Sequence, residues 1–365
     1  MHPKQFILPL FLLLFPTLMA LSSYSQSFKK LDEWMEANTP GLGGRSMLMI
    51  YKDGKIVYAN ARNEMSNKQK IGSRLIARRQ GKPANIENYD ADTRQPIASC
   101  SKWLSAALVM TFIDEGKLRL SDTVGSYLPV LSAHGKGNIT ISQCLSHLTG
   151  IKSPPLKENL AEMTRVQNMD EAMDLLAVLP MEGQPGSVFH YSNAGLQIAG
   201  AVLEKISGKS FQELFAERIA QPLGMLHTDF GKNKVALPAG GAISTPNDYI
   251  NFLVMILDKG IFKGKRILSE KSIHEMQVNR LTDDVRIAYA PVEAGGFGYG
   301  FGEWIMSARD ANQAIAISSP GLFGSFPWVD NQKHYVAFLM TYNIRNKGRN
   351  EKYQELKALV DETLP

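Results

Sequence analysis

A serine and a lysine stand three residues apart in the stretch "IASCSKWL", directly before the apolar run "WLSAALVMTFIDEG". Residues i and i+3 share one face of a helix, so a helical conformation would place Ser99 and Lys102 side by side. A lysine there can act as a base for the serine hydroxyl when burial lowers its pKa. The alternative is structural, with Ser99 capping the helix and Lys102 as a solvated charge. A second S-x-x-K pair, Ser27 and Lys30, shows that the spacing alone does not decide.

A tyrosine and an asparagine are candidates for completing such a site. The triplet Tyr191-Ser192-Asn193 follows a Pro-Gly turn and precedes a helical pattern, where side chains are readily presented to a cleft. The two other Y-x-N triplets fall in a predicted strand and a predicted helix. Taken alone, Tyr191 is equally compatible with an ordinary, partly buried tyrosine. Lys102 would either accept the Ser99 proton itself or, if charged, stabilise an ionised Tyr191.

Strand patterns at both ends of the chain enclose a series of helical patterns. Two apolar runs around Asp53-Gly54 predict a β-hairpin, and four runs between residues 298 and 344 predict an antiparallel meander followed by a closing helix. The intervening segments carry apolar residues at helical spacing. This order predicts an α/β fold, in which an antiparallel sheet is flanked by helices and an all-helical subdomain is inserted.

These patterns also predict the domain organisation. We expect one domain over residues 26–365, with an α/β part from about 26–98 and 285–365 and a helical part from about 99–284. Ser99 would then lie where sheet-forming sequence gives way to helix, and clefts form at such junctions.

The N-terminus has the pattern of a secretory signal peptide. "MHPKQFILPLFLLLFPTLMALSSYSQS" combines one lysine, an apolar core and small polar residues, which predicts a signal over residues 1–25. A retained membrane anchor is the alternative. We therefore expect an exported protein, periplasmic or secreted, with no stable membrane span after the signal is removed.

Composition and missing motifs narrow the remaining function classes. The net charge of +5 is small and dispersed, which argues against nucleic acid as a partner. The two cysteines, Cys100 and Cys144, are interpreted as packed thiols, and no C-x-x-C or H-E-x-x-H spacing suggests a metal. No complete P-loop or G-x-S-x-G elbow occurs. We expect neither metal nor cofactor.

One local stretch is strongly basic. Against the single acid Glu64 it carries Arg62, Lys68, Lys70, Arg74, Arg78, Arg79 and Lys82. A solvated loop insertion is the favoured interpretation, and a site for an anionic partner is the alternative.

Several segments together resemble the serine β-lactamase family. "IASCSKWL", "CLSHLTGI", "PGSVFHYSNAGLQIAGAVLEKISG", "PLGMLHTDF", "AGGAISTPNDYINFL" and "GYGFGEW" occur in the family's order. The closest similarity is to class C enzymes and to related esterases and D-amino-acid peptidases. The resemblance implies a β-lactamase/transpeptidase-like fold, with Ser99 as the acylated nucleophile and Lys102 as the lysine beside it. It further implies Tyr191 as the proton shuttle and Asn193 as a ligand of substrate and lysine.

The family's third motif, Lys or His followed by any residue and Gly, is altered here. Ser319-Pro320-Gly321 stands in its place, so the cationic side chain is missing. The resemblance implies an oxyanion hole formed by the backbone N–H groups of Leu322 and Ser99. We expect the Ser319 hydroxyl to bond substrate or Tyr191.

The missing cation also bears on the substrate. A lost charge-assisted contact to a substrate carboxylate forfeits about 1.5 to 3 kcal/mol. This favours an esterase or amidase over an efficient β-lactamase. Arg345, Lys347 or Arg349 are candidates to supply the charge, although a basic surface turn is the favoured interpretation of that run.

Two histidines lie near the motifs. His147, in "SHLTG", is interpreted as a structural histidine, whereas His190, beside Tyr191, is a candidate for lining the cleft.

The sequence thus predicts an exported serine hydrolase that cleaves an ester or amide through a Ser99 acyl-enzyme. Its substrate would be a small-molecule ester, an amide, a D-peptide or a β-lactam, and its oligomeric state is left open. The alternative is a non-catalytic or acylation-only penicillin-recognising domain that binds or senses a ligand, which the unusual Ser319 keeps open.

Overall fold

The computed structural model describes residues 28–81, 83–231, 233–344 and 348–364. The signal peptide predicted over residues 1–25 lies outside these ranges, as do Lys82, Arg345 and Lys347. Within them, no helix combines the length and apolar character needed to cross a bilayer.

The strands come from both ends of the chain. They are β1 (Arg45–Lys52), β2 (Lys55–Asn63), β3 (Gln95–Pro96), β4 (Val188–His190), β5 (Ile243–Ser244), β6 (Ile261–Phe262), β7 (Lys265–Arg266), β8 (Arg286–Tyr289), β9 (Gly298–Tyr299), β10 (Trp304–Ala308), β11 (Ala314–Ser318), β12 (Phe326–Asp330) and β13 (Tyr335–Thr341). Seven of the described strands form one antiparallel sheet in the order β2-β1-β13-β12-β11-β10-β9. The expected hairpin and meander are therefore joined through the β1–β13 pair.

The helices lie mainly between the two groups of strands. They are α1 (28–38), α2 (Asn67–Gln80), α3 (Ser101–Asp114), α4 (Pro129–Ala133), α5 (Ile141–Leu145), α6 (Leu156–Met163), α7 (Met169–Ala177), α8 (Ala194–Ser207), α9 (Phe211–Phe215), α10 (Pro246–Leu257), α11 (Glu270–Met276) and α12 (Arg349–Thr363). A short 3₁₀ turn, Ala98–Cys100, leads directly into α3.

Each face of the sheet is covered by helices. Along β1, Met47 and Met49 point to a core shared with α3, α8 and α10, whereas Leu48 and Ile50 point to a second core shared with α1 and α12. Side chains alternate between faces along a strand, so an uninterrupted apolar β1 serves both cores. The predicted antiparallel sheet flanked by helices is confirmed, and the exact boundary between an α/β part and a helical part stays a prediction.

The basic stretch adopts a different structure from the predicted loop. Residues 67–80 form α2, with a capping box between Ser66 and Gln69 at its start and Gly81 in the left-handed conformation at its end. These are ordinary helix start and stop signals. The prediction of a loop was wrong. It relied on the density of charged residues and overlooked the capping residues Ser66, Gln69 and Gly81.

Candidate active site

Ser99 lies in the 3₁₀ turn that precedes α3. The residue before it, Ala98, has a φ of +47°, a left-handed conformation that costs a non-glycine residue roughly 1 to 3 kcal/mol. Its neighbours hold it there: the Ile97 N–H donates to the Ala242 carbonyl at 3.0 Å, and the Ser101 hydroxyl donates to the Ala98 carbonyl. The strained backbone is thus fixed by surrounding structure, which positions Ser99 at the start of a buried helix.

Lys102 lies within reach of Ser99, as the spacing predicted. Its Nζ is 3.3 Å from the Ser99 Oγ, 2.7 Å from the Ala239 carbonyl oxygen and 3.5 Å from the Asn193 Oδ1. The side chain is 2% exposed, and this burial lowers the pKa of Lys102 to about 7. A substantial neutral fraction is therefore present at neutral pH, which is the condition set above for a basic lysine.

Tyr191 packs over the amine of Lys102. The Nζ of Lys102 is 4.8 Å from the centroid of the Tyr191 ring, and the ring also packs against His147 and Trp304. Burial raises the pKa of Tyr191 above its ordinary value, and hydrogen bonding to the Ser99 and Trp304 side chains offsets only part of this shift. The phenol is accordingly a neutral proton donor in this arrangement.

Asn193 has a buried partner that the sequence did not suggest. Its Nδ2 donates to the Oδ1 of Asn159 at 3.1 Å, which leaves its own Oδ1 facing Lys102. Asn159 belongs to α6 and is 5% exposed. No motif or spacing marks Asn159, because the contact joins two segments that are 34 residues apart.

The segment after β11 packs against the turn that carries Ser99. The Ser319 hydroxyl donates to the carbonyls of Gly302 and Ser99 at 2.8 and 3.2 Å, and Ser319 is 1% exposed. A Cβ on Gly321 would lie 2.3 Å from the Ile97 carbonyl oxygen, so this close approach requires glycine. The hydroxyl proton of Ser319 is shared between backbone carbonyls, and its binding of substrate or Tyr191 stays a prediction.

Arg349 differs from the two interpretations given for the basic run. It is 5% exposed, and its guanidinium donates to the carbonyls of Leu322 and Asn343 at 2.8 and 2.6 Å. It is therefore neither a surface charge nor a cation extended into the cleft. Leu322 itself is 38% exposed, and the oxyanion hole expected from its N–H group stays a prediction.

Nearly the whole chain matches one protein family. A sequence model of the family described as "Beta-lactamase" matches residues 28–360. The chain belongs to the beta-lactamase family. This chain is a serine hydrolase of that family, and its relatives include proteins named as putative carboxypeptidases.

Individual relatives agree with this assignment. A protein of Escherichia coli O157:H7 named "Putative D-alanyl-D-alanine carboxypeptidase" is 28% identical over 218 residues, which are 56% of this chain and 47% of that protein. This match thus spans about half the length of that relative. The solved structure of a "putative beta-lactamase" from Bacteroides dorei is 26% identical, covers 92% of this chain and 98% of its own, and has a TM-score of 0.76.

A carboxylesterase has the same fold. The solved structure of a family VIII carboxylesterase superposes with a TM-score of 0.70 over 93% of this chain and 98% of its own, at 20% identity. At that identity the likeness concerns the fold alone.

His147 lies beneath Tyr191 in this beta-lactamase family member. Its Nδ1 is 3.5 Å from the Ser192 N–H and its Nε2 is 3.0 Å from the Tyr299 hydroxyl. Burial holds the pKa of His147 well below its usual value, so the ring is neutral. The contacts agree with the structural role predicted for it.

His190 is paired with a residue that the sequence did not single out. Its Nδ1 contacts the Oε1 of Glu182, and both side chains are 15% exposed. The Tyr289 ring lies 5.5 Å from the imidazole, between centroids. Lining of the cleft by His190 stays a prediction.

A buried carboxyl, Glu303, lies in the core beside α3. It is fully buried, and neither carboxyl oxygen makes a hydrogen bond of regular geometry within the described residues. Burial raises the pKa of Glu303 well above its usual value, opposed only by the Trp103 indole. The group is neutral at ordinary pH.

Among the described residues, no three His, Cys, Asp or Glu side chains are grouped so as to hold a metal ion.

Proposed function

We propose that this protein is an exported hydrolase that cleaves an ester or amide through an acyl-enzyme on Ser99. Lys102 is the base for acylation, Tyr191 transfers the proton to the leaving group, and Asn193 orients Lys102 and binds substrate. The backbone N–H groups of Ser99 and Leu322 stabilise the oxyanion.

One observation carries this proposal. The Nζ of Lys102 is 3.3 Å from the Ser99 Oγ, and the pKa of Lys102 is about 7 because the side chain is buried. A general base works best when its pKa lies near the working pH and when it is within hydrogen-bond reach of the proton. Tyr191 does not meet the first condition, because burial raises its pKa.

The reaction follows from these positions. Neutral Lys102 takes the proton of Ser99 as the Oγ bonds to the substrate carbonyl carbon, and the carbonyl oxygen becomes an oxyanion. The bond to the leaving oxygen or nitrogen then breaks as Tyr191 donates its proton, which Lys102 replaces. A water molecule repeats the sequence on the acyl-enzyme, which releases the acid and restores Ser99.

The substrate preference rests on the missing cation. Ser319 stands where a Lys or His is expected, and the buried guanidinium of Arg349 is bonded to backbone carbonyls. A substrate carboxylate would lose about 1.5 to 3 kcal/mol without a charged partner, which is roughly tenfold to a hundredfold in binding. We therefore favour uncharged esters and amides over β-lactams.

Intact-mass analysis after incubation with a fluorophosphonate tests the nucleophile. Attack by Ser99 releases fluoride and leaves one phosphonyl group per chain. Ser99→Ala should abolish the adduct, whereas Ser105→Ala, in the helix α3 that follows the turn, should retain it. Absence of an adduct on folded wild-type protein would contradict the proposal.

Turnover separates the hydrolase from the sensor-type alternative. Short-chain nitrophenyl esters, D-amino-acid amides and a chromogenic cephalosporin should be tried in parallel, and the ester is expected to give the highest kcat/KM. An acyl adduct that accumulates on Ser99 and persists without product release would instead favour a binding or sensor domain.

A further inference from the structure

Helix α2 presents a cationic face that the hydrolase mechanism does not use. Its 14 residues include five basic and no acidic side chains. The basic residues are Lys68, Lys70, Arg74, Arg78 and Arg79. Within the described parts of the chain, none of them takes part in an ion pair. Their charge is therefore not neutralised by neighbouring carboxylates.

The same helix also exposes large apolar side chains. Ile71, Leu75 and Ile76 are 55%, 57% and 57% exposed. Ile71 and Leu75 are four residues apart and therefore adjacent on the helix surface. Folding alone does not account for three large aliphatic residues held more than half in water on one short helix.

The basic residues flank the apolar pair on both sides. Arg74 and Arg78 each lie three residues after one member of the pair, which places them along one edge of the Ile71–Leu75 stripe. Lys68 and Arg79 lie three residues before Ile71 and four after Leu75, along the other edge. A narrow apolar stripe between two rows of cations is the pattern of a helix lying in a lipid–water interface.

The opposite face attaches the helix to the protein body. Ala77 is buried, and the Ser73 hydroxyl donates to the Asn85 carbonyl at 3.4 Å. At the helix start, Gly44 packs closely against Met65 and Gln69. The Ile71–Leu75 stripe therefore points away from the body and is available to a flat surface.

We propose that α2 is a docking surface for an anionic phospholipid bilayer. The stripe would enter the boundary between headgroups and acyl chains, while the flanking side chains bind lipid phosphates and extend towards them. A second copy of this chain is a poor occupant, because it would bring a second cationic face against the first. A soluble polyanion is also a poorer occupant, because it would bind the cations but leave Ile71 and Leu75 in water.

Vesicle co-sedimentation tests the proposal on the full chain. Vesicles of phosphatidylcholine with about 30% phosphatidylglycerol are compared with pure phosphatidylcholine at low and high salt. All variants carry the same N-terminal residues, so any contribution from that segment is common to them. Thermal unfolding and circular dichroism establish that each variant is folded. Wild type should prefer the anionic vesicles and lose that preference at high salt.

Two helix variants and two matched controls identify the surface. Arg74→Glu/Arg78→Glu should weaken binding by at least about 25-fold, since each neutralised cation near the surface is worth about fivefold. Ile71→Ser/Leu75→Ser should weaken it by roughly tenfold or more. The matched controls change exposed residues elsewhere and should bind like wild type. They are Lys265→Glu/Lys271→Glu, with the same charge change, and Leu226→Ser, at a side chain that is 79% exposed.

Three results would overturn the proposal. Wild type could bind both vesicle types equally, or the charge-reversal variant could bind like its lysine control. If only the charge reversal weakened binding and the serine variant bound like wild type, the attraction would be purely electrostatic, as for any polyanion, and α2 would not enter the bilayer.

Discussion

Acylation of Ser99 should accelerate steeply as the pH is raised towards neutrality and then level off. The change of pH acts on one group, Lys102, whose pKa is about 7 because its side chain is buried. Only the neutral amine can accept the Ser99 proton across the 3.3 Å between Nζ and Oγ. The rate should follow the neutral fraction of this amine.

The size of the effect follows from that pKa. The neutral fraction of Lys102 is about 1% at pH 5, about half at pH 7 and about 90% at pH 8 for a pKa of about 7. The second-order rate constant for acylation should therefore rise about 50-fold between pH 5 and pH 7 and less than about twofold from pH 7 to pH 8. A solvated lysine would instead give a rate that keeps rising to pH 10.

Stopped-flow acylation with an uncharged nitrophenyl ester measures this profile. Lys102→Arg keeps the charge but supplies no base, and should lower the plateau by roughly 10² to 10⁴. Asn193→Asp places a carboxylate near the amine and should move the inflection to higher pH. A profile that is flat below pH 7, or that rises only above pH 9, would refute the reasoning.

Three further substitutions test the surroundings of the site. Glu303→Gln should stabilise the fold, because burial raises the pKa of this carboxyl. In urea unfolding, the gain in unfolding free energy should grow by about 1.4 kcal/mol per pH unit above the ordinary glutamate pKa, until the raised folded-state pKa is reached. A gain that does not change with pH would contradict this. Gly321→Ala should slow acylation by about tenfold or more, because its Cβ would lie 2.3 Å from a backbone carbonyl, whereas the control Gly72→Ala, with open space around it, should leave the rate unchanged. Arg349→Met should lower kcat by about fivefold to thirtyfold and change KM less, through loss of the hydrogen bond to the Leu322 carbonyl. Arg349→Lys should restore part of the rate. An effect confined to thermal stability would reject a positioning role.

Local sequence patterns were sufficient to predict those features that depend only on short-range backbone geometry. The Asp53-Gly54 pair occupies a turn with φ values of +50° and +81°, as a two-residue hairpin requires, and Lys52 pairs with Lys55 across it. The proximity of Ser99 and Lys102 follows equally from the i, i+3 geometry of a helical turn. Neither inference needed any knowledge of the rest of the chain.

Contacts between distant segments were not predictable in this way. The carbonyl of Ala239 accepts from Lys102 across 137 residues of chain, and Asn159 supports Asn193 across 34. A backbone carbonyl has no residue signature, and a lone asparagine that follows a lysine and a glutamate in a short helix resembles a solvated residue. Glu182 and Glu303 were missed for the same reason, since nothing in the sequence indicates that the first contacts His190 and the second is buried.

The missed contacts explain how a lysine can be buried and still serve as a base. The oxygens facing the Lys102 amine are those of Ala239, Ser99 and Asn193, and all three are neutral. Neutral oxygens satisfy the hydrogen-bonding capacity of the amine without the full charge of a carboxylate, which would hold it protonated. Burial therefore dominates and lowers the pKa. This has a cost, because below the unfolded-state pKa of about 10.5 the unfolded chain binds a proton at this lysine more tightly than the folded chain does. The resulting loss of stability is complete below pH 7 and disappears as the pH rises from 7 to 10.5, so the arrangement that activates Ser99 works against folding in the pH range where it acts.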